Sequence, residues 1–254
     1  MKPKKCFAVE KMTCAAVSLD LEFEGETILC AATSWTNGTL NSTQIWVSRN
    51  AKGYEPMNDF MIDALIQQLW QHYIQGIYLV TWGGTSSDWL KLWKYAKTPE
   101  IKKCIMEMAH YSIDIPLVSA AATGMMMSLT STAMGMGLGA RPACDSEDVP
   151  RLWNTKDPVK QEEVVAHVKW DAWACAALWN KLVAQAQFSR PQLSWVTKKS
   201  GLRSVRLHRV QNHDQIWVLP RVLEVLKWET PNPQFVIPDH LRTDKLTSWL
   251  KEDI

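Results

Sequence analysis

The stretch CAAVSLDLEFEGETILCAATSW, residues 14 to 35, contains two runs of apolar and β-prone residues separated by a glycine. Cys14 to Glu22 is predicted to form a first strand, and TILCAATSW, residues 27 to 35, a second. FEGE, residues 23 to 26, is predicted to form the turn that joins them. The stretch therefore predicts a β-hairpin near the start of the chain.

Acidic residues occupy alternate positions of this hairpin: Asp20, Glu22, Glu24 and Glu26. Alternate side chains of a strand share one face, where like charges repel, and acidic residues are depleted in strands. Gly25 is expected to break the strand, so that Glu24 and Glu26 leave the face that Asp20 and Glu22 share. Asp20 and Glu22 are then the pair that needs a functional or structural reason.

The rest of the chain predicts further strands and helices in an order typical of a mixed sheet. Apolar spacing and turn residues predict a strand at 44–48, a helix at 57–76, a buried strand at 77–82, helices at 87–97 and 100–111, an extended segment at 112–118 and a long helix at 157–187. TNGTLNST, residues 36 to 43, is expected to be a polar loop. The predicted fold class is α/β, an RNase H-like mixed sheet flanked by helices.

Composition favours a globular protein with a sizeable core. The 254 residues carry a formal net charge of +2, which neither requires nor excludes a polyanionic partner. Six scattered cysteines without a CxxC pair favour buried, reduced thiols. No apolar run approaches the roughly 18 residues that a membrane helix needs, so a soluble, intracellular protein without a membrane partner is expected.

The composition becomes more basic after residue 190. We predict an RNase H-like domain at 1–189 and a basic C-terminal extension at 190–254, which could pack on the same domain. Phosphate groups attract clustered Lys and Arg side chains. The candidate nucleic-acid-binding residues are Lys198, Lys199, Arg203, Arg206 and Arg209. A solvated basic strand face is the alternative explanation of this cluster.

Four acidic residues from three distant segments are candidates for a common site. Asp20 and Glu22 lie on the first strand, Asp88 follows the buried strand after a short loop, and Asp171 lies on an apolar part of the long helix. Asp171 is costly there unless it is paired or coordinated. Converging carboxylates can hold two divalent ions about 3.5–4 Å apart against a phosphodiester.

These residues resemble the motifs of the DEDD 3'–5' exonucleases, the DnaQ-like branch of the RNase H-like superfamily, and more specifically the exonuclease domains of family B DNA polymerases. LDLE, residues 19 to 22, is similar to the first motif, and VTWGGTSSDW, residues 80 to 89, to the second. HVKWD, residues 167 to 171, is similar to the third. The resemblance covers roughly residues 15 to 187.

The resemblance implies that Asp20, Glu22, Asp88 and Asp171 bind two Mg²⁺ or Mn²⁺ ions. His167 lies four residues before Asp171, on the same helix face, and is the proposed general base because an imidazole has a pKa of about 6.5. Two departures from the family pattern are that Gly83 and Ser87 replace the usual asparagine and aromatic residue, and that His167 has the spacing of the family's tyrosine.

The expected function is a metal-dependent 3'–5' exonuclease that hydrolyses phosphodiester bonds at single-stranded DNA or RNA 3' ends. Two alternative functions remain open: an RNase H-like nucleic-acid-binding or interaction module with weak or no activity, and a related endonuclease. For Asp88, the alternative is that it serves only as a helix N-cap. Val9 and Glu10 offer a weaker first motif, since Ala8 stands where an aspartate is needed. Asp114 is expected to be structural or to lie outside the metal ligands.

Overall fold

The computed structural model describes residues 15–38, 41–117, 128–142, 144–187, 192–197 and 201–206, together with Trp249. For 182–187, 192–197 and 201–206 it describes the backbone alone. The described strands are β1 (Ala16–Glu24), β2 (Thr27–Thr36), β3 (Asn41–Trp46), β4 (Ser48–Asn50), β5 (Gly53–Glu55), β6 (Tyr78–Thr81), β7 (Ile113–Asp114), β8 (Gln192–Thr197) and β9 (Gly201–Arg206). The helices are α1 (Asp59–Ile74), α2 (Asp88–Tyr95), α3 (Pro99–Tyr111), α4 (Leu129–Gly135), α5 (Val149–Asn154) and α6 (Pro158–Gln187).

Five of the strands form one mixed sheet in the order β3-β2-β1-β6-β7. The β1–β2 and β2–β3 pairs are antiparallel, whereas the β1–β6 and β6–β7 pairs are parallel. The α/β class and the mixed sheet flanked by helices are therefore confirmed. β1 lies at the centre and is the strand that carries Asp20 and Glu22.

The two faces of the sheet differ in polarity along β1. Leu19 and Leu21 pack in the core that α1, α2 and α3 form on one face. On the other face, where α4, α5 and α6 pack, the Ser18 hydroxyl donates a hydrogen bond to the backbone oxygen of Ala172 in α6, at 2.6 Å. The period of two residues therefore directs Asp20 and Glu22 towards α6.

Side chains cap the N-termini of two helices. Asn58 accepts a hydrogen bond from the N–H of Met61 at the start of α1. Asp157 accepts one from the N–H of Val159 at the start of α6, at 2.9 Å. Both side chains satisfy backbone donors that have no partner within the helix. The long helix predicted at 157–187 is confirmed, with Asp157 capping its N-terminus.

The hairpin turn is tighter than predicted. β1 continues to Glu24, and the turn consists of Gly25, with φ +55°, and Glu26. The prediction that Glu24 leaves the strand is wrong, whereas Glu26 does lie in the turn. Glu24 is nevertheless exposed, and its carboxylate accepts hydrogen bonds from the Asn154 side chain of α5.

Other boundaries also differ from the predictions. β3 begins at Asn41, so part of the predicted polar loop pairs with β2, because an exposed edge strand tolerates polar side chains. In the extended segment predicted at 112–118, the described strand covers Ile113–Asp114 alone. The hairpin of β4 and β5 and the short helix α5 were not predicted.

Part of the predicted C-terminal extension contacts the main core. The ring of Trp249 lies 5.9 Å from that of Trp93, between ring centroids, and is 4% exposed. β8 and β9 form an antiparallel hairpin in which Trp195 pairs with Arg203. In the ranges given above, no helix is long and apolar enough to cross a bilayer.

Candidate functional site

The carboxylate of Asp88 is bound to the central strand. Asp88 is the first residue of α2, and its Oδ1 accepts a hydrogen bond from the backbone N–H of Leu21, at 3.0 Å. Its Oδ2 accepts one from the Ser87 hydroxyl, at 3.1 Å. Leu21 stands between Asp20 and Glu22, so these hydrogen bonds place Asp88 beside the acidic pair. Ser87, not Asp88, occupies the N-cap position of α2, so an N-cap role does not account for Asp88.

The loop before Asp88 depends on a close approach at Gly84. A Cβ atom at Gly84 would lie 2.8 Å from Asp88 Oδ2 and 2.6 Å from the Cβ of Thr81. A larger residue would therefore displace either the end of β6 or the Asp88 carboxylate. Gly83 has a φ of +80°, a backbone conformation that favours glycine.

Asp114, at the end of β7, holds the same loop through two hydrogen bonds. Its Oδ1 accepts a hydrogen bond from the N–H of Gly83, at 2.9 Å, and its Oδ2 one from the N–H of Thr85, at 3.0 Å. Both carboxylate oxygens are thus committed to the backbone. Asp114 is 2% exposed and holds the loop that positions Asp88, as expected for a structural residue.

His167 on α6 links that helix to β1. Its Nε2 lies 3.1 Å from Glu22 Oε1 and 3.5 Å from Asp171 Oδ2. Its Nδ1 lies 2.7 Å from the backbone oxygen of Cys144, and since a carbonyl oxygen only accepts, Nδ1 carries a proton. Burial lowers the pKa of His167, but the Glu22 hydrogen bond and the charges of Asp171 and Glu22 outweigh it and raise the pKa above its ordinary value.

Arg141 is the site residue that was not predicted. Its Nε donates to Asp171 Oδ1, at 2.8 Å, and its Nη2 donates to Asp171 Oδ2, so the ion pair is bidentate. The Arg141 side chain is 15% exposed. A sequence signal existed: Arg141 is the single Lys or Arg between residues 104 and 150, and it lies close before the third motif. A buried cluster of carboxylates requires compensating cations.

The acidic side chains influence one another's protonation. Burial raises the pKa of Asp20 well above its ordinary value, and the charges of Asp171, Glu22 and Asp88 raise it further. Burial also raises the pKa of Asp171, despite the opposing effect of His167 and Arg141. The pKa of Asp88 is raised to about 7, mainly by burial. The four carboxylates therefore lie close enough to interact electrostatically, and adding negative charge to the group is unfavourable.

Asp20 differs from its neighbours in having an unsatisfied carboxylate oxygen. Its Oδ2 is buried and has no hydrogen-bond partner among the residues that the structure describes. A buried carboxylate oxygen without a partner is unfavourable unless it binds a proton or a cation. Together with Glu22, Asp88 and Asp171 it belongs to an all-oxygen donor set, the type that Mg²⁺ and Mn²⁺ prefer.

In the described arrangement, these carboxylates do not form a complete metal site. Within the described part of the chain, no three or more His, Cys, Asp or Glu side chains are placed so that they could hold one metal ion. In this arrangement Arg141 engages both Asp171 oxygens, and His167 Nε2 lies 3.1 Å from Glu22 Oε1. The donor chemistry fits divalent ions, whereas Asp171 is directed at a guanidinium.

The structure thus brings together all five residues predicted as catalytic: Asp20, Glu22, Asp88, His167 and Asp171. The structure does not describe the side chains of the residues predicted to bind nucleic acid. Arg203 and Arg206 lie on β9, of which the backbone alone is described, and Lys198, Lys199 and Arg209 lie outside the described residues. In comparisons with known proteins, no family model and no curated protein matches the chain.

Proposed function

We propose that the chain is a metal-dependent 3'–5' exonuclease with an RNase H-like domain, which hydrolyses phosphodiester bonds at single-stranded nucleic-acid ends. The observation that carries this proposal is the partnerless, buried Oδ2 of Asp20 beside three other carboxylates. The sheet order, with β1 central and parallel to β6, agrees with it.

The four carboxylates are held by different parts of the fold, as expected of metal ligands that must stay in place during catalysis. Asp20 and Glu22 lie on a central strand, and Asp88 is held by the Leu21 N–H. Asp171 lies on a helix of 30 residues packed against that strand. Asp20, Glu22, Asp88 and Asp171 are the residues that would hold two Mg²⁺ or Mn²⁺ ions. Such ions supply Lewis-acid stabilisation of the phosphate and an activated water.

His167 is suited to move a proton at the site. The Cys144 carbonyl keeps the proton on Nδ1, so Nε2 is the ring atom that can accept or release one. In the arrangement described, Nε2 faces the carboxylates of Glu22 and Asp171, which favour the protonated ring and raise its pKa. It can act as a base only after these carboxylates turn to other partners. The general-base role proposed for His167 depends on that change.

The nucleic-acid partner belongs to this proposal as well. The basic residues Lys198, Lys199, Arg203, Arg206 and Arg209 are proposed to contact the phosphate backbone, because counterion release favours such contacts. Single-stranded DNA and RNA are both included, since the choice between them depends on contacts to the 2'-hydroxyl.

A second candidate function is a nucleic-acid-binding module without turnover. The observation that favours it is the bidentate Arg141–Asp171 ion pair, which neutralises one proposed metal ligand with a protein side chain. Such a module would hold single strands without releasing nucleotides in Mg²⁺ or Mn²⁺.

Asp20→Asn is the sharpest test of the enzyme proposal, because Oδ2 has no protein partner to lose. We expect the variant to fold normally and to release mononucleotides from a 5'-labelled single strand in Mn²⁺ about a thousandfold more slowly, since a metal ligand is lost. The rate and the product lengths are measured on denaturing gels.

Glu26→Gln is the matched control, since Glu26 is an exposed acid of the same stretch and should leave the rate unchanged. Equal rates for wild type and Asp20→Asn would contradict the enzyme proposal. Strand binding without nucleotide release by the wild-type protein would support the binding module, and internal cuts would indicate an endonuclease.

A further inference from the structure

Arg141 brings positive charge to the acidic cluster through Asp171. Among the described residues, it is the one Lys or Arg side chain that forms an ion pair with Asp20, Glu22, Asp88 or Asp171. Its contact uses both oxygens of Asp171 through Nε and Nη2. A guanidinium matches a carboxylate in this way because its donors form a rigid fork.

The same contact excludes a divalent ion from Asp171. A metal ligand must offer an oxygen lone pair in the direction of the ion, and a guanidinium placed there also repels the ion by its charge. Asp171 cannot serve Arg141 in the bidentate form and a metal ion at the same time. Occupation by the two cations is therefore competitive.

Arg141 has a second contact, which lies outside the acidic cluster. The Arg141 guanidinium lies 5.8 Å above the centre of the Trp170 ring, a contact that does not involve the acidic cluster. The segment leading to it contains Gly137 and Gly139 with φ of +73° and +90°, and a Cβ at either would meet nothing within 4 Å. Arg141 itself lies outside the described helices and strands.

We propose that Arg141 is an intramolecular competitor of the divalent ions: it closes the cluster when metal is absent and leaves Asp171 when metal binds. This inference rests on the proposed function, because it takes the cluster to be a metal site. Arg141 then sets the metal concentration at which the site fills. It also keeps Asp171 compensated in the metal-free protein, where an unpaired buried carboxylate would be costly.

The test is metal affinity, measured without any reaction. Free Mn²⁺ is counted by electron paramagnetic resonance during titration of wild type, Arg141→Gln and Arg141→Lys. We expect Arg141→Gln to bind Mn²⁺ about tenfold or more tightly, because an adjacent opposite charge changes cation affinity of a carboxylate by this order. Arg141→Lys keeps the charge without the fork and should have an intermediate Kd.

Arg151→Gln is the matched control, since Arg151 pairs with Asp148 at the surface, and its Kd should equal that of wild type. Thermal melting provides a second readout: Arg141→Gln should melt lower than wild type in EDTA and gain more from Mn²⁺. If Arg141→Gln does not fold, Arg141→Lys decides the question by the same Kd comparison.

Two results would overturn the inference, and they are distinguishable. Equal Mn²⁺ affinity of wild type and the Arg141 variants would refute competition while leaving the metal site and the proposed enzyme intact. Absence of Mn²⁺ binding by every variant would refute the inference together with the proposed function.

Discussion

Asp114 and Asp20 are two aspartates of one sheet whose surroundings differ completely. Asp114, at the end of β7, gives both oxygens to backbone N–H groups of the loop at 83–85. Asp20, at the centre of β1, has a buried Oδ2 that accepts no hydrogen bond from the described part of the chain. Burial raises the pKa of both, but for Asp20 three further carboxylates act in the same direction.

The difference separates a structural carboxylate from one that needs an additional cation. Hydrogen bonds to Asp114 compensate its burial and make it part of the loop's architecture. Among the described residues, no hydrogen bond compensates Asp20 Oδ2 in the same way, so its burial is unfavourable unless it binds a proton or a metal ion. Asp88 lies between the two cases, with backbone support from Leu21 and a pKa raised to about 7.

The largest stability effect is expected for Asp114→Asn. An amide can accept only one of the two backbone N–H bonds, and its NH₂ group would face the other donor, so we expect a loss of about 3 kcal/mol. Urea unfolding in EDTA measures this loss. Asp20→Asn is the paired variant, and its free energy of unfolding should not fall. Equal losses for the two variants would remove the distinction between the sites.

Asp88→Asn is expected to increase stability at neutral pH in EDTA. The folded pKa of Asp88 is raised to about 7 from 3.8, so its stabilising contribution is complete below the unfolded pKa and is lost as pH rises through the folded pKa. Asparagine keeps an acceptor for Leu21 without the charge. We expect a gain of about 2 kcal/mol at pH near 7.5 and little change at pH near 4, because only the ionised carboxylate is costly.

Urea unfolding of wild type and Asp88→Asn at both pH values measures the difference. Asp145→Asn, at an exposed position, is the control and should show no such pH-dependent gain. A gain of the same size at both pH values would contradict the proposed role of the buried charge.

The smallest effect is expected for Glu24→Gln, which tests the outer end of the acidic stretch. Glu24 is exposed and accepts hydrogen bonds from Asn154, a neutral donor that an amide oxygen can also serve. We expect a change of less than about 0.5 kcal/mol and nucleotide release within about twofold of wild type. Urea unfolding and the gel assay measure these values. A tenfold loss of nucleotide release would place Glu24 in the site with Asp20 and Glu22.

Local patterns in the sequence predicted much of the fold. Alternation along 16–24, the continuous apolar run of β6 and the helical spacing of α6 each arise from short-range geometry, which is written in consecutive residues. The strand predicted at 44–48 overlaps edge strand β3, but the first residues of β3 were predicted as loop because an exposed edge can be as polar as a loop. The short α5 gave no periodic signal long enough to recognise.

The sequence by itself determined which carboxylates share the face of β1 and which residues share the face of α6, because strand and helix periods follow from the backbone. Only the tertiary structure decided how the site is compensated. It places Arg141 on Asp171, 30 positions later in the chain, and His167 on Glu22. It also leaves Asp20 Oδ2 without a donor. Such long-range pairings depend on packing between elements and carry no spacing that a sequence pattern can express.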